Sequence, residues 1–154
     1  MELFFTEYWS NLQELHNEIR KAIKDIPQDA LDWNFGADTN SLSVLIVHLT
    51  GAERYWIGDV IAGESSDRDR DAEFKVKDWG ENELLQRLST TEGYLQNVLE
   101  TLSLQTLDEK RVSPRNGREF TVSWALGHAL KHTALHLGHI QIMCQLWEQK
   151  QSIK

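Results

Sequence analysis

Apolar residues recur at three- and four-residue steps along four long stretches of the chain, and each stretch reads as a helix. The first runs from about Leu3 to Lys24 and carries Phe5, Tyr8, Trp9, Leu12, Leu15, His16, Ile19 and Ile23 on one face. Asp25-Ile-Pro27 ends it, because proline disfavours a helical residue before it. Residues 26–40, with Trp33-Asn-Phe35-Gly36, read as a loop. The second helix starts at Asn40 or Ser41, both good N-caps, and runs to about Ala62, where Gly63 stops it. On it His48 shares a face with Val44, Leu45, Ala52, Tyr55 and Trp56.

Glu64–Asp78 is highly charged and has no apolar period, so it is expected to be a mobile surface linker. The third helix is predicted from about Asn82 to Leu104, with Leu84, Leu85, Leu88, Leu95, Val98, Leu99 and Leu102 inward. Asn116-Gly117 predicts a two-residue hairpin turn between short arms at Arg111-Val112 and Glu119–Thr121. The fourth helix is predicted from about Val122 to Gln149. It shows an apolar line, Leu126, Leu130, Leu137 and Cys144, beside a stripe of histidines. A helix with two such faces is either central or covered by a second subunit, and a homodimer through the leucine line is expected. The pattern as a whole predicts an all-α, up-down four-helix bundle with a small β-hairpin before the last helix.

Length and charge narrow the partners. The 154 residues suit one domain, 1–154. The net charge is −8 and no cluster of Lys and Arg occurs, which argues against nucleic acid and anionic membrane surfaces as partners. The longest apolar run, Leu42–Leu49, is too short to span a bilayer. Cys144 is the only cysteine, and the acidic start Met1-Glu-Leu-Phe-Phe-Thr-Glu does not resemble a secretory signal, so a cytoplasmic protein is expected.

The candidate chemistry lies in the last helix. His128, His132, His136 and His139 are spaced 4, 4 and 3. At roughly 100° per residue all four fall within about 80° of one another, one stripe of metal-type ligands. Two histidines at i and i+4 sit about 6 Å apart and can share one ion, while i and i+8 are roughly 12 Å apart and cannot. The pairs His128/His132, His132/His136 and His136/His139 are all candidates, and a third ligand must come from another helix. His48 is the candidate, since an unpaired imidazole on an apolar mid-helix face is costly. Three imidazoles suit zinc with an open position, and nickel or iron could take the same set. The di-iron signature Glu-x-x-His fails, because Ala125, Ala129 and Thr133 stand three residues before His128, His132 and His136. His-Glu-x-x-His is also absent. Trp56 and Trp124 are candidates for the lining of the metal cavity, with His128 and His139 as hydrogen-bonding neighbours of the ligands.

Ser41-Leu-Ser-Val-Leu-Ile-Val-His48-Leu-Thr-Gly-Ala-Glu-Arg-Tyr-Trp56 and His132-Thr-Ala-Leu-His136-Leu-Gly-His-Ile140 resemble the DinB/YfiT-like superfamily. Its usual ending is His-x-x-x-His-Arg-Gly-Gln-Ile, and here Leu137 stands for the Arg and His139 for the Gln. The resemblance implies a four-helix bundle, often dimeric, holding one divalent metal on His48, His132 and His136. It also implies a metal-dependent thiol S-transferase acting with a low-molecular-weight thiol and an electrophile. A metal-dependent hydrolase and a non-catalytic, stress-related metal-binding dimer module are the alternatives. No carboxylate is placed by the sequence to take a proton, which suits thiol chemistry better than hydrolysis.

Overall fold

The computed structural model describes residues 1–153. Helix α1, Leu3–Ile23, buries Phe5, Tyr8, Trp9, Leu12, His16, Ile19 and Ile23. The chain leaves it through Asp25, at φ 58°. A short helix, α2 (Gln28–Asp32), stands inside the stretch expected to be all loop and buries Ala30 and Leu31. Helix α3, Leu42–Glu53, is capped by the Ser41 hydroxyl, which accepts from the Val44 N–H. All 12 of its residues are buried, so it is a central helix with no solvent face. It continues as π-helical turns over Arg54–Ala62 and stops at Gly63, whose φ of 71° suits glycine.

A four-residue helix, α4 (Arg70–Glu73), follows, then α5, Glu81–Thr101. Leu84, Leu88, Leu95, Val98 and Leu99 are its buried apolar residues. A 3-10 turn over Leu104–Asp108 leads to β1 (Lys110–Val112) and β2 (Glu119–Thr121), paired antiparallel with Arg111 opposite Phe120. The Ser113 N–H donates to the Arg118 carbonyl and the Gly117 N–H to the Ser113 carbonyl, so the loop is longer than the two-residue turn expected from Asn-Gly. Helix α6, Val122–Ser152, is capped by Thr121, whose side chain accepts from the Trp124 N–H.

The all-α bundle and its hairpin are those predicted, and the helix directions add a feature. One apolar cluster joins the start of α1 (Phe5, Tyr8), the π-helical turns (Tyr55, Ile57), the end of α5 (Val98, Leu99) and the start of α6 (Val122, Ala125). The other joins the end of α1 (Ile19, Ile23), the start of α3 (Leu42, Leu45), the start of α5 (Leu84, Leu88) and the end of α6 (Ile140, Met143). The long helices therefore run up, down, down and up, not in strict alternation. Helix α1 packs on α5 and α6, and α3 packs on the same two. Residues 64–80 must return from one end of the bundle to the other, so this largely exposed stretch is a crossover along the bundle.

The second apolar line of α6 also differs from expectation. Leu126 and Leu137 are buried in the chain's own two clusters, and Leu130 and the half-buried Cys144 pack against them. That line has no free surface for a second subunit. The exposed apolar residues of α6 are Trp124, Leu135 and Ile142. Among the described residues no helix is long and apolar enough to cross a membrane.

A polar tie lies on residues between those of the two clusters. His16 of α1 is fully buried, with Nε2 2.8 Å from Glu53 of α3 and Nδ1 3.0 Å from Glu92 of α5. The Thr133 hydroxyl of α6 donates to the same Glu53 oxygen at 2.6 Å, and Arg20 pairs with Glu92 at 2.6 Å. Carboxylates only accept, so both ring nitrogens of His16 donate and the ring is an imidazolium. Burial opposes that charge, but Glu53 and Glu92 outweigh it and hold His16 at about 9. Burial likewise acts to raise Glu92, and the bonds from His16 and Arg20 hold it down at about 2.

The raised His16 contributes stability fully below its unfolded value near 6.5 and loses it as pH rises through 9. The depressed Glu92 contributes above its unfolded value near 4.5 and loses it as pH falls towards 2. Urea melts of the protein should therefore show this tie at full strength between those two unfolded values and weakening on either side. His16→Leu leaves Glu53 buried without its cationic partner and should cost about 3 kcal/mol or more. It should also flatten the alkaline limb of the pH profile, which an unchanged limb would refute.

Candidate metal centre

His48 sits mid-way along α3 and is buried, while His132 and His136 stand one turn apart on α6 and are half-buried. Because α3 lies directly against α6, the three rings meet. The ring centroids are 5.1 Å apart for His48–His132, 5.1 Å for His48–His136 and 4.3 Å for His132–His136. One nitrogen from each lies within 4.8 Å of the other two. The Nε2 atoms of His132 and His136 face each other at 3.1 Å.

The fourth member of the group is Glu73, delivered by α4 from the crossover. Its Oε2 lies 2.9 Å from His48 Nδ1, and it is buried. Arg68 grips the same carboxylate, with Nη2 2.7 Å from Oε2 and Nε on Oε1. Burial acts to raise the Glu73 carboxyl, but the bonds from Arg68 and His48 hold it below the usual carboxylate range. The carboxylate can only accept, so Nδ1 of His48 carries a hydrogen and donates it to Glu73, which leaves Nε2 as the nitrogen available to a cation. The Phe74 ring packs on the His48 ring at 4.8 Å.

Electrostatics suits these rings to a cation. Burial first, then the nearby His136, His48, His128 and Arg68, lowers His132 to about 3. Burial, then His48 and His139, lowers His136 to about 4. Both are neutral near pH 7, as ligands must be. Nδ1 of His132 and of His136 is buried without a hydrogen-bond partner. Neutral rings crowded nitrogen to nitrogen are poorly satisfied by protein alone. Nitrogens sharing a tetrahedral zinc at bonds of about 2.0–2.1 Å stand about 3.3 Å apart, close to the 3.1 Å between His132 and His136. The residues present fit a divalent ion.

The other predicted residues fall outside this point. His128 is half-buried and stacks on Trp124, centroids 4.8 Å apart and planes at 13°. Trp56 packs against both, 4.7 Å from His128 and 5.3 Å from Trp124. Phe120 of the hairpin stacks on the other side of Trp124 at 4.5 Å. These aromatics form a wall that reaches His132, whose ring centroid is 6.1 Å from that of His128. His139 is exposed, 5.4 Å from His136, and is outside the three-nitrogen group. Cys144 is half-buried against the Ala22 carbonyl, and burial followed by Glu148 pushes its thiol up to about 11, so it is packing. Glu53 faces His16 and Thr133, away from His48.

Sequence reasoning missed Glu73, Arg68 and Gly51. A cavity of about 930 Å³ under the crossover is lined by these three along with Thr50 and Arg87, and none of the three histidines lines it. The only sequence signal for Glu73 was a charged stretch without period, which is also what a solvated loop looks like.

Residues 2–153 match the family described as protein of unknown function (DUF1572). The chain belongs to that family. Among curated proteins none matches it. Two solved structures from Bacillus subtilis share its fold. The DinB-like protein YjoA is 18% identical with a TM-score of 0.71, the match covering 92% of each chain. YfiT, described as a probable metal-dependent hydrolase with an unusual four-helix bundle topology, is 17% identical with a TM-score of 0.76, covering 96% of this chain and 90% of that one. At these identities the likeness shows the fold alone, and that fold is DinB-like. For this DUF1572 chain, the convergence of the three rings predicts one ion per chain. His132→Ala should abolish stoichiometric zinc uptake in equilibrium dialysis, whereas His139→Ala should leave the stoichiometry intact.

Proposed function

We propose that the protein binds one divalent metal ion, zinc, nickel or iron, through His48, His132 and His136, and uses it for S-transfer from a low-molecular-weight thiol to an electrophile. The observation that carries this reading is the meeting of three imidazoles from α3 and α6 at one point. When bound, such an ion on three protein ligands leaves a position for a small ligand and lowers the pKa of a thiol or water there. The chain's own residues supply the rest. Both Glu73 oxygens are engaged by Arg68 and His48, and Glu53 faces His16 and Thr133, away from His48, so neither is placed to take a proton from a ligand of the ion. A nucleophile that depends on the ion for its deprotonation suits such a site, and a thiol, already far more acidic than water, suits it best. Trp124, 46% exposed and stacked on His128, offers an apolar flank for the electrophile.

Hydrolysis is the second reading, favoured by the description of YfiT as a probable metal-dependent hydrolase. The non-catalytic alternative requires a site closed to small ligands. Metal-stripped protein reloaded with zinc, nickel or iron should transfer a thiol to a model electrophile at a rate that depends on both ion and thiol. Ester cleavage without thiol would favour the second reading, and no turnover with a closed four-coordinate cobalt spectrum would favour the third. A homodimer in the cytoplasm belongs to the same proposal. Its contact face is the exposed pair Leu135 and Ile142, and a monomer in sedimentation at micromolar concentration would remove it.

A further inference from the structure

We infer that Glu73 is the positioning residue of the histidine centre, and that Gly51 lacks a side chain in order to admit it. The inference rests on the proposed metal site and adds residues that are not ligands of the ion. Glu73 is 4% exposed, although it lies in a stretch that is otherwise mostly solvent-facing. It reaches depth because the backbone of α3 is bare at Gly51. A Cβ there would stand 2.1 Å from Glu73 Oε1, 2.9 Å from its Cδ and 3.2 Å from Arg68 Nε. The first of those distances is impossible, so an alanine at 51 must displace the carboxylate.

Gly51 is three residues beyond His48 on the same helix, so the notch for Glu73 opens beside the ring it serves. Within the notch, Arg68 fixes the carboxylate by two nitrogens, and the carboxylate fixes Nδ1–H of His48. Phe74, the next residue, closes on the face of the same imidazole. His48 therefore has its tautomer and its ring direction set from behind, and its Nε2 is presented to His132 and His136. Those two have no comparable partner on Nδ1, so the orientation of the group depends on this one anchor.

A buried Arg–Glu pair can also be merely structural, and the two roles separate experimentally. Glu73→Gln and Glu73→Ala should lower zinc affinity about 10- to 100-fold in competition with a chromogenic chelator. Gly51→Ala should lower it in the same way, although residue 51 is not a ligand. The double variant Gly51→Ala/Glu73→Ala should bind zinc no worse than Glu73→Ala alone, because the clash has no target once the carboxylate is gone. In the metal-free protein, nitrogen-15 NMR should show His48 as the Nδ1–H tautomer, and the Glu73 variants should release it to a mixture. Wild-type affinity in both Glu73 variants, or losses that multiply in the double variant, would overturn the inference. An Nε2–H tautomer of His48 in the wild-type protein would also overturn it. The NMR readout needs no ion: a protein that takes up no zinc yet loses its His48 tautomer on substitution would sink the metal reading and keep the positioning role.

Discussion

The imidazolium of His16, held between Glu53 and Glu92, is the interaction on which the arrangement of the bundle rests. Apolar contacts between helices are non-directional and tolerate sliding, and each residue of slip moves a helix by about 1.5 Å. The tie does not tolerate it. It connects α1 to α3 and α5 directly, and through the Thr133 hydroxyl it reaches α6. Burying these groups is favourable only while all are paired, since removal of one leaves a charge without a partner. Glu53 lies five residues beyond His48, and Thr133 follows His132 directly. The bond between Glu53 and Thr133 thus sets the height of α3 against α6, and with it the height at which His48 meets the two histidines. The carboxylate that stays away from the proposed ion does its work on the ion's ligands.

The helices were legible in the sequence because each buries a side chain every three or four residues, as in Phe5, Tyr8, Leu12, Ile19 and Ile23 of α1. His48 was legible for the opposite reason. In a run buried on every side it is a polar group that needs a partner. The choice of His132 and His136 from four candidates was not a matter of spacing, which allows three pairs. The structure brings those two rings to His48, and leaves His128 on the tryptophan wall and His139 in solvent.

Other features escaped for definite physical reasons. A two-faced helix suggests an interface, yet the leucine line of α6 turns into both of the chain's own clusters because α6 spans the bundle's full height and touches α1 and α3 at once. The Asn-Gly signal gives a hairpin, but Ser113 and Arg118 pair outside it and lengthen the loop. His16 shows the same periodicity as its apolar neighbours, and nothing local reveals that Glu53 and Glu92, 37 and 76 residues away, will meet it.

The direction of α5 is the feature with the widest consequence. Two consecutive helices that run the same way require a return path along the bundle, and α5 with its 21 residues sets that path at about 31 Å. Residues 64–80 could reach roughly 55 Å if fully extended. The crossover thus has more chain than the span demands, and the excess allows one turn of helix, α4, where it passes α3. That turn ends in Glu73 and Phe74, the two residues that hold the His48 ring. An alternating bundle, with a tight turn between its second and third helices, would have no chain passing this point and no carboxylate behind His48. The topology and the orientation of the first histidine are in this sense one property, and the charged segment without periodicity is the part of the sequence that encodes both.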